Sequence, residues 1–425
     1  MAREVYHRLV LFLAKRSTFA TVALRLVTAG QKEVRLFSGL DDHLCISPRH
    51  MRPRASLLFR ESKTLFYAPP RFVGSQAHPP SELIPVRGPD HYGAVFSETS
   101  IVGGSGLLLV GTEHALCDLR CFDENRRYKY TDAAILAYDD ERCVVWGQKA
   151  QEELKSGIHL CGISLNYFHL LFELMVKLPS VEASRIDVRI PLLVDAVCLR
   201  VPQYRQLLEA LVLKNRQLVA LEPARRYKVQ ELYHVSCPCV VPLNFWRSSD
   251  VRPSDSLFDL SALGTLRTRL LQYAAGRGAM NAARPKWIFL SRAGASARRQ
   301  FNEQAVVDSL KKVGCQAVFP EKLPLAEQIA LFAEAELIVG GSGAAFTNLL
   351  FCSPRCKVVV LAKNRMPISI FSTVARYVGA DLCYFTESSD DGGETDDIHE
   401  SFVIDVDRLS AFVVRFLSEE RLEPC

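Results

Sequence analysis

A Gly-Gly-Ser-Gly turn at positions 340–343 joins an apolar strand pattern to a helix pattern that runs from about Ala344 to Phe351. Glycine lets the backbone approach a ligand closely, and a helix start presents unbonded N–H groups and the positive end of the helix dipole. The turn therefore predicts a phosphate site, to which the hydroxyls of Ser342 and Thr347 could add donors. The alternative is a tight strand–helix turn that binds nothing.

The hexamer Ile-Val-Gly-Gly-Ser-Gly occurs twice, at 101–106 and at 338–343. After the first copy, Leu107 to Val110 has a strand pattern rather than a helix pattern. Glycine content by itself therefore does not predict a ligand site, and the second copy needs support from neighbouring residues.

Arginines provide that support. Arg292 follows the predicted strand Lys286 to Ser291, and Arg298 and Arg299 precede a helix that Asn302 could cap. The carboxyl ends of parallel strands are where α/β sheets bind ligands, and guanidinium groups match diphosphate oxygens with two hydrogen bonds. These side chains could neutralise a departing nucleoside diphosphate without a metal ion. The alternative is a solvated basic loop.

Two further patterns contain polar side chains that could bind a ligand or a metal ion. Glu327 and Gln328 lie in a predicted helix, Leu325 to Glu334, and could hydrogen-bond a ribose or a sugar; the alternative is an exposed helix face. Asp405 and Asp407 form the one Asp-x-Asp motif, but it precedes a terminal helix pattern, away from the strand ends. The sequence therefore predicts no metal site and no cofactor.

A helical pattern from Asn166 to Leu178, expected to end at Pro179, carries His169 and Glu173. Residues four apart share a helix face, so the two side chains should meet. One could act as general base on an acceptor hydroxyl while the other orients it. The alternative is a helix histidine that its neighbouring glutamate satisfies.

The surrounding elements alternate between strand and helix patterns, which predicts α/β architecture with a parallel sheet in each half of the chain. From Lys286 onward, four strands alternate with helices, as in a doubly wound Rossmann-type domain. We expect an N-terminal extension at 1–82, an α/β domain at 83–246, and a linker with a connecting helix at 247–285. A Rossmann-like domain at 286–405 and a closing helix at 406–425 follow.

The composition of the chain argues against several classes of protein. The chain has 425 residues with a formal net charge of +5, an excess too small and dispersed to indicate nucleic-acid binding. No signal peptide or membrane-spanning run is evident, so we expect a cytoplasmic protein whose first helix either packs internally or touches a membrane face or partner. The 13 cysteines lack metal-site spacing and are expected to be buried free thiols.

Together, these residues resemble glycosyltransferase family 61. Asn166 to Leu178 is similar to that family's N-Y-x-H-x-x-x-[DE] segment, and 291–303 is similar to its SR…RR-x-x-NE motif. The stretch Leu325 to Phe351 resembles a third family motif. The residues that carry this third motif are Gln328, Phe332, Ala335, Gly343, Ala344, Asn348 and Phe351. Order and spacing fit across about 160–362.

The resemblance implies a GT-B fold, in which two Rossmann-like domains face a cleft, here with an additional N-terminal segment. It implies an inverting, metal-independent transfer from a nucleotide-sugar, commonly a UDP-sugar, to a glycan such as a bacterial cell-surface polysaccharide, or to a protein acceptor. It places His169 and Glu173 on the acceptor side. Donor binding falls on Arg292, Arg298 or Arg299, Asn302, Gln328, Gly343, Ala344 and Asn348.

One position departs from the family pattern: Ser342 stands where the family usually has histidine. Serine can hydrogen-bond a phosphate but supplies no cation. The alternative function is therefore a non-catalytic nucleotide-sugar-binding or glycan-binding protein on a decayed transferase fold. A Rossmann enzyme that uses a dinucleotide is a third reading, against which the absence of G-x-G-x-x-G counts.

Overall fold

The computed structural model describes most of the chain from Lys32 onward. The described residues are 32–37, 39–42, 55–74, 80, 82–111, 114–117, 132–138, 143–148, 151–162, 165–212, 216–241, 251–293, 300–363, 365, 367–386 and 401–419. The predicted donor residues Arg298 and Arg299 lie outside them, as do the acidic stretch at 388–397 and the last residues of the predicted closing helix.

The described strands are numbered in chain order. They are β1 (Lys32–Phe37), β2 (Gly39–Asp42), β3 (Ala55–Glu61), β4 (Thr64–Tyr67), β5 (Ile84–Arg87), β6 (His91–Val102), β7 (Leu108–Val110), β8 (His114–Cys117), β9 (Ile135–Tyr138), β10 (Cys143–Gln148), β11 (Gln151–Leu160), β12 (Leu192–Asp195), β13 (Leu218–Leu221), β14 (Arg226–Val235), β15 (Trp287–Leu290), β16 (Gln316–Val318), β17 (Leu337–Gly341), β18 (Lys357–Ala362) and β19 (Asp381–Thr386).

The α-helices of the described residues are Tyr167–His169, Leu178–Ala183, Val197–Arg200, Pro202–Leu211, Leu260–Gly276, Glu303–Lys312, Leu325–Glu334, Ile370–Val378 and Val406–Ser418. A π-helical turn, Leu170–Leu174, and a 3-10 turn, Met175–Lys177, join the first two α-helices into one continuous run. The other 3-10 segments are Pro253–Asp255, Ala279–Asn281, Pro320–Lys322 and Ala344–Phe351. No described helix has the length and apolar character needed to cross a bilayer.

The chain forms two compact units. The first comprises described residues within 1–63 and 89–238, and the second comprises those within 64–88 and 239–425. This division differs from the predicted boundaries, because residues 64–88 pack with the C-terminal part of the chain. The stretch predicted as a linker also belongs to the second unit. Its helix Leu260–Gly276 is capped by Asp259 and packs on Leu325–Glu334.

A nine-stranded mixed sheet forms the centre of the first unit. Its order is β13-β12-β11-β14-β6-β7-β8-β2, and β3 also pairs with β6. The four strands β13, β12, β11 and β14 are mutually parallel, as the alternating pattern predicts. The pairs β14–β6, β6–β7 and β7–β8 are antiparallel, and β2 pairs parallel with β8, so the first unit departs from the expected parallel sheet.

The core of the first unit joins strands that are distant in the sheet order. Leu193 of β12 and Leu221 of β13 share one buried cluster with Ile101, Leu108 and Leu116 of β6, β7 and β8. Buried residues of β14 and further residues of β6 belong to the same cluster, so this core extends continuously across the sheet. A separate three-stranded sheet, in the order β1-β10-β9, accompanies it.

The second unit contains a five-stranded parallel sheet in the order β16-β15-β17-β18-β19. Numbered within the unit, this is the doubly wound order 2-1-3-4-5. Strand β16 is added on one side of β15, and β17 to β19 are added on the other side, so the topological switch point lies between β15 and β17. The predicted Rossmann-type sheet is therefore present, with five strands rather than four. Helices Glu303–Lys312 and Val406–Ser418 share a buried core with residues of the central strands.

The segment at 64–88 completes one edge of this unit. The backbone N–H of Val73 donates to the Tyr384 carbonyl (2.9 Å), and Tyr384 N–H donates to the Arg71 carbonyl (2.8 Å). Phe72 thus forms a parallel bridge beside β19. The Ala68 N–H donates to Thr373 Oγ1 (3.0 Å). Pairing of this kind covers an edge strand that would otherwise expose unpaired backbone groups.

Candidate functional site

The glycine turn lies where β17 ends. Ser342 N–H donates to the Leu361 carbonyl of β18 (2.9 Å), and Phe346 N–H donates back to the Gly343 carbonyl (3.1 Å), which begins the helical segment Ala344–Phe351. That segment is a 3-10 helix, not the α-helix that a helix pattern suggests. Gly343 has an extended backbone (φ −178°), so the turn does not depend on a left-handed conformation.

Close packing explains the glycines instead. A Cβ atom at Gly340 would lie 2.8 Å from Leu290 Cβ, and one at Gly341 would lie 2.8 Å from the Phe301 ring. At Gly343 the nearest atom to such a Cβ would be Arg292 Nη1, at 3.4 Å. The turn is therefore a place where neighbouring strands and an arginine approach the backbone.

Arg292 follows β15 and reaches across to this turn. Its Nη1 donates to the Ser342 carbonyl (2.8 Å). Partial burial of the guanidinium lowers the pKa of Arg292 from its ordinary value, while the nearby carboxylate of Glu303 opposes that change. The structure thus brings together three predicted donor-site residues, Arg292, Ser342 and Gly343, at the carboxyl ends of the two strands that flank the switch point.

Glu303, the first residue of its helix, holds the end of β15. One carboxylate oxygen, Oε1, accepts hydrogen bonds from Ser291 Oγ and from the Arg292 backbone N–H (2.9 Å). Ser291 Oγ in turn accepts from Ala293 N–H (3.2 Å). The sequence includes Glu303 in the motif that contains Arg292 and Asn302 but assigns it no role of its own.

Asn302 has a different role from the predicted cap. Its side chain makes no capping hydrogen bond to its own helix. Instead, Nδ2 donates to the Ile404 carbonyl (2.9 Å), and Oδ1 accepts from Ile404 N–H (2.8 Å). These two hydrogen bonds from the Asn302 side chain attach the helix start to the segment that leads into the closing helix.

The polar residues predicted on the next helix divide by exposure. Glu327 is exposed, whereas Gln328 is buried (5 % exposed). Gln328 Oε1 accepts from Asn348 Nδ2 (3.2 Å), and Gln328 Nε2 donates to the Leu323 carbonyl (3.0 Å). Gln328 and Asn348 therefore form an interior amide pair that attaches the 3-10 helix to Leu325–Glu334.

Two other predicted donor residues lie in the 3-10 helix itself. Ala344 is half-buried at its first position. Thr347 is fully buried, and its Oγ1 makes no hydrogen bond within the described residues. A buried hydroxyl without a partner is unusual in a folded protein. Contact between Thr347 and a donor stays a prediction.

His169 and Glu173 meet in the first unit. His169 Nδ1 lies 2.9 Å from Glu173 Oε1, and the side chains are 12 % and 4 % exposed respectively. When Glu173 is ionised it only accepts hydrogen bonds, so Nδ1 carries the proton and Nε2 is left with the lone pair of a base. The predicted contact is therefore confirmed, while the catalytic role stays a prediction.

The helix that carries this pair differs from its prediction in two ways. Asn166 Oδ1 accepts from Phe168 N–H (2.9 Å), which is the expected start. The helical run then passes through a π-turn at Leu170–Leu174, a feature that recurs at functional sites. The run does not end at Pro179, because proline stands in the first turn of Leu178–Ala183, where its missing N–H costs little.

The first copy of the repeated hexamer has a structural role. Gly104 has a left-handed backbone (φ 82°), and its N–H donates to Asp195 Oδ1 (2.7 Å). Ser105 Oγ and Gly106 N–H donate to the carboxylate of Asp132 (2.6 and 2.8 Å). Burial raises the pKa of Asp132 above its ordinary value. The carboxylates of Asp195 and Asp132 thus accept the hydrogen bonds that this turn could otherwise donate to an external anion.

The remaining site predictions concern metals and thiols. Asp405 caps the helix Val406–Ser418 by accepting from the backbone N–H groups of Asp407 (3.1 Å) and Arg408 (3.0 Å). Within the described residues no cluster of three or more His, Cys, Asp or Glu side chains could hold a metal ion. Metal independence stays a prediction. The cysteines whose side chains are described are buried thiols, as expected; they are Cys161, Cys198, Cys237, Cys239, Cys315, Cys352, Cys356 and Cys383.

Comparison with known proteins bears on the segment that holds both candidate sites. A search of curated proteins found no match. A protein-family model described as Glycosyltransferase 61 matches residues 167–359. The match begins at Tyr167, two residues before His169, and ends inside β18, so it includes the glycine turn, Arg292 and Glu303. Residues 167–359 of this chain are therefore similar to glycosyltransferase family 61, and this similarity supports glycosyltransferase activity.

Proposed function

We propose that this protein is an inverting glycosyltransferase that moves a sugar from a UDP-sugar to the hydroxyl of a glycan acceptor without a required metal. The observation that carries the proposal is the contact of Arg292 with the glycine turn at the switch point of the second unit (Nη1 to Ser342 carbonyl, 2.8 Å). A guanidinium beside a strand–helix turn is suited to a diphosphate. The family match provides independent support.

In this proposal the donor diphosphate binds at the carboxyl ends of β15 and β17. Arg292 and the start of the 3-10 helix Ala344–Phe351 stabilise the negative charge that develops on the departing UDP. Arg298 and Arg299 are proposed to add charge to the same site. Since Gln328 and Asn348 are interior, we assign them the positioning of the 3-10 helix rather than a direct bond to the donor.

The acceptor half of the reaction is assigned to His169. Its Nε2 takes the proton of the acceptor hydroxyl, the acceptor oxygen forms a bond to the anomeric carbon, and the bond from that carbon to the diphosphate oxygen breaks. The electron pair leaves with UDP, and the configuration at the anomeric carbon inverts. Glu173, bonded to Nδ1 (2.9 Å), stabilises the imidazolium that forms.

Substitution of Arg292 tests the donor site. Arg292→Ala should raise the dissociation constant for UDP about tenfold or more, because a charge-assisted pair with a phosphate contributes roughly 1.5–3 kcal/mol. Titration calorimetry measures this directly. Arg277→Ala is the matched control: it also removes one positive charge from the second unit, but at an exposed helix end, and should leave UDP affinity within about twofold. Equal affinity of wild type and Arg292→Ala would contradict the proposal.

Ser342 favours one alternative, a non-catalytic nucleotide-sugar-binding protein. Both functions predict UDP binding that depends on Arg292, so binding alone does not separate them. Incubation with a panel of UDP-sugars and glycan acceptors, followed by mass spectrometry of the acceptor, does. UDP binding without transfer or donor hydrolysis across the panel would favour the alternative.

A further inference from the structure

The helix start that faces β15 is held rigidly from its far side. Asn302 exchanges two hydrogen bonds with the backbone of Ile404 (2.9 and 2.8 Å). The Phe301 and Phe402 rings stack at 5.3 Å between centroids and 13° between planes. Phe402 N–H also donates to the Gln300 carbonyl (3.0 Å). Glu303 therefore extends from a fixed support.

From this support, Glu303 contacts the strand end that carries Arg292. Its Oε1 accepts one hydrogen bond from the Ser291 hydroxyl and another from the Arg292 backbone N–H. Hydrogen bonds to an ionised carboxylate are shorter and about twice as strong as neutral ones. A single oxygen thus fixes the main chain at the residue whose side chain then reaches Ser342.

We infer that Glu303 is a positioning residue of the donor site: by holding the backbone at Ser291 and Arg292, it directs the guanidinium to the carbonyl of Ser342 at the glycine turn. The inference rests on the proposed function for its ligand, the diphosphate of UDP. It adds a residue that acts on the donor only through Arg292. Because binding depends steeply on placement of a charged donor, loss of this bond should weaken UDP binding even though Arg292 is still present.

The test is UDP calorimetry on variants of the full chain. Glu303→Ala should raise the UDP dissociation constant about tenfold. Glu303→Gln retains an oxygen at the same place that accepts both bonds, and should stay within about threefold. Glu303→Asp retains the charge, but its side chain is one methylene too short to reach Ser291 and the Arg292 N–H. This variant should therefore bind UDP as weakly as Glu303→Ala does. It replaces the alanine variant in the test if Glu303→Ala does not fold.

A double-mutant cycle separates positioning from general destabilisation. In an Arg292→Ala background, Glu303→Ala should cause no further loss of UDP affinity, although its effect on melting temperature should persist. Asp308→Ala, on the same helix, should leave UDP affinity unchanged. The inference is overturned if Glu303→Ala binds UDP as wild type does, if the same loss recurs without Arg292, or if Asp308→Ala weakens binding equally.

If the proposed function is wrong, wild type itself gives a different result in these experiments. If wild type binds neither UDP nor inorganic pyrophosphate, the donor site is wrong, and the positioning role is then decided by crystal structures of wild type and Glu303→Ala. Displacement of Arg292 Nη1 from the Ser342 carbonyl in the variant supports the role. An unchanged hydrogen bond refutes it.

Discussion

At the level of single residues, the meeting of Arg292 with the glycine turn could be predicted. Both follow strands of one parallel sheet, and the carboxyl ends of such strands lie at a common edge. The acceptor atom could not be predicted. Arg292 donates to the backbone carbonyl of Ser342, and the direction of a carbonyl depends on the backbone angles of the turn, which residue type does not specify.

His169 allows a sharp separation of binding from chemistry. His169→Ala should lower the rate of glycosyl transfer about 10²- to 10⁴-fold, because a positioned general base contributes that much. UDP affinity should stay within about twofold, since the proposed diphosphate contacts belong to other residues. Kinetics of acceptor glycosylation, with UDP calorimetry on the same sample, measure both.

Glu173→Gln refines that experiment. The glutamine amide can donate to Nδ1 and so impose the other tautomer, and the charge that stabilises an imidazolium is gone, so a loss of transfer comparable to that of His169→Ala is expected. A His169→Ala variant with wild-type transfer would exclude His169 as the base.

At the level of elements, the sequence could not predict which polar side chains of the helix Leu325–Glu334 face the interior. Spacing put Gln328 on a helix, but the sequence did not show which polar side chain faces the interior. Gln328 is buried because Asn348 and the Leu323 carbonyl satisfy its amide, whereas its neighbour Glu327 is exposed. A buried polar side chain needs a partner from another element, and that partner is known only from tertiary structure.

The contact between β15 and β17 gives a prediction about stability. Gly340→Ala would place a Cβ atom 2.8 Å from Leu290 Cβ and 3.2 Å from the Leu290 carbonyl oxygen. Because backbone cannot yield as a flexible side chain can, overpacking should cost about 1–3 kcal/mol of unfolding free energy. Thermal denaturation should show a lower melting temperature.

Gly276→Ala is the control for this substitution. Gly276 is the last residue of the helix Leu260–Gly276, and a Cβ atom there has no neighbour within 4 Å. Alanine is the better helix former, so the change should be neutral or slightly stabilising, by at most about 0.5–1 kcal/mol. Equal melting temperatures for Gly340→Ala and wild type would show that the two strands are less tightly packed than described.

At the level of the whole molecule, chain order and compact units do not coincide. Residues 64–88 precede most of the first unit in sequence but belong to the second unit. A boundary read from composition cannot detect this, because the bonds that attach the segment, such as those between Val73 and Tyr384, join residues about 300 positions apart. Contacts of that range leave no local signature in the sequence.

The edge pairing of this segment can be tested at Val73. Val73→Pro removes the N–H that donates to the Tyr384 carbonyl and should cost about 1–3 kcal/mol, because that carbonyl loses its partner. Val73→Ala, which retains the N–H, measures the loss of side-chain packing alone and should cost less. Hydrogen exchange should show faster exchange along β19 in the proline variant only.

Similar exchange along β19 in both Val73 variants would mean that residues 66–73 do not stabilise the edge of the sheet. In that case the segment would be attached to the second unit through its other backbone bonds, such as the two between Phe66 and Phe258.

The sequence by itself determined the α/β class, the parallel sheet of the second unit, the positions of most of its strands and helices, and the pairing of His169 with Glu173. Each of these depends on local periodicity or on spacing along one helix, which a linear pattern contains. The family resemblance likewise rested on short ordered motifs, and the match over residues 167–359 supports it.

Tertiary structure alone decided the mixed strand directions in the sheet of the first unit, the membership of residues 64–88 in the second, and the roles of Glu303 and Asn302. In each case the deciding interaction joins groups far apart in the chain, as when Asn302 bonds Ile404 rather than its own helix. A side chain with several possible hydrogen-bond partners takes the one that the packed fold brings within reach, and no local rule specifies that choice.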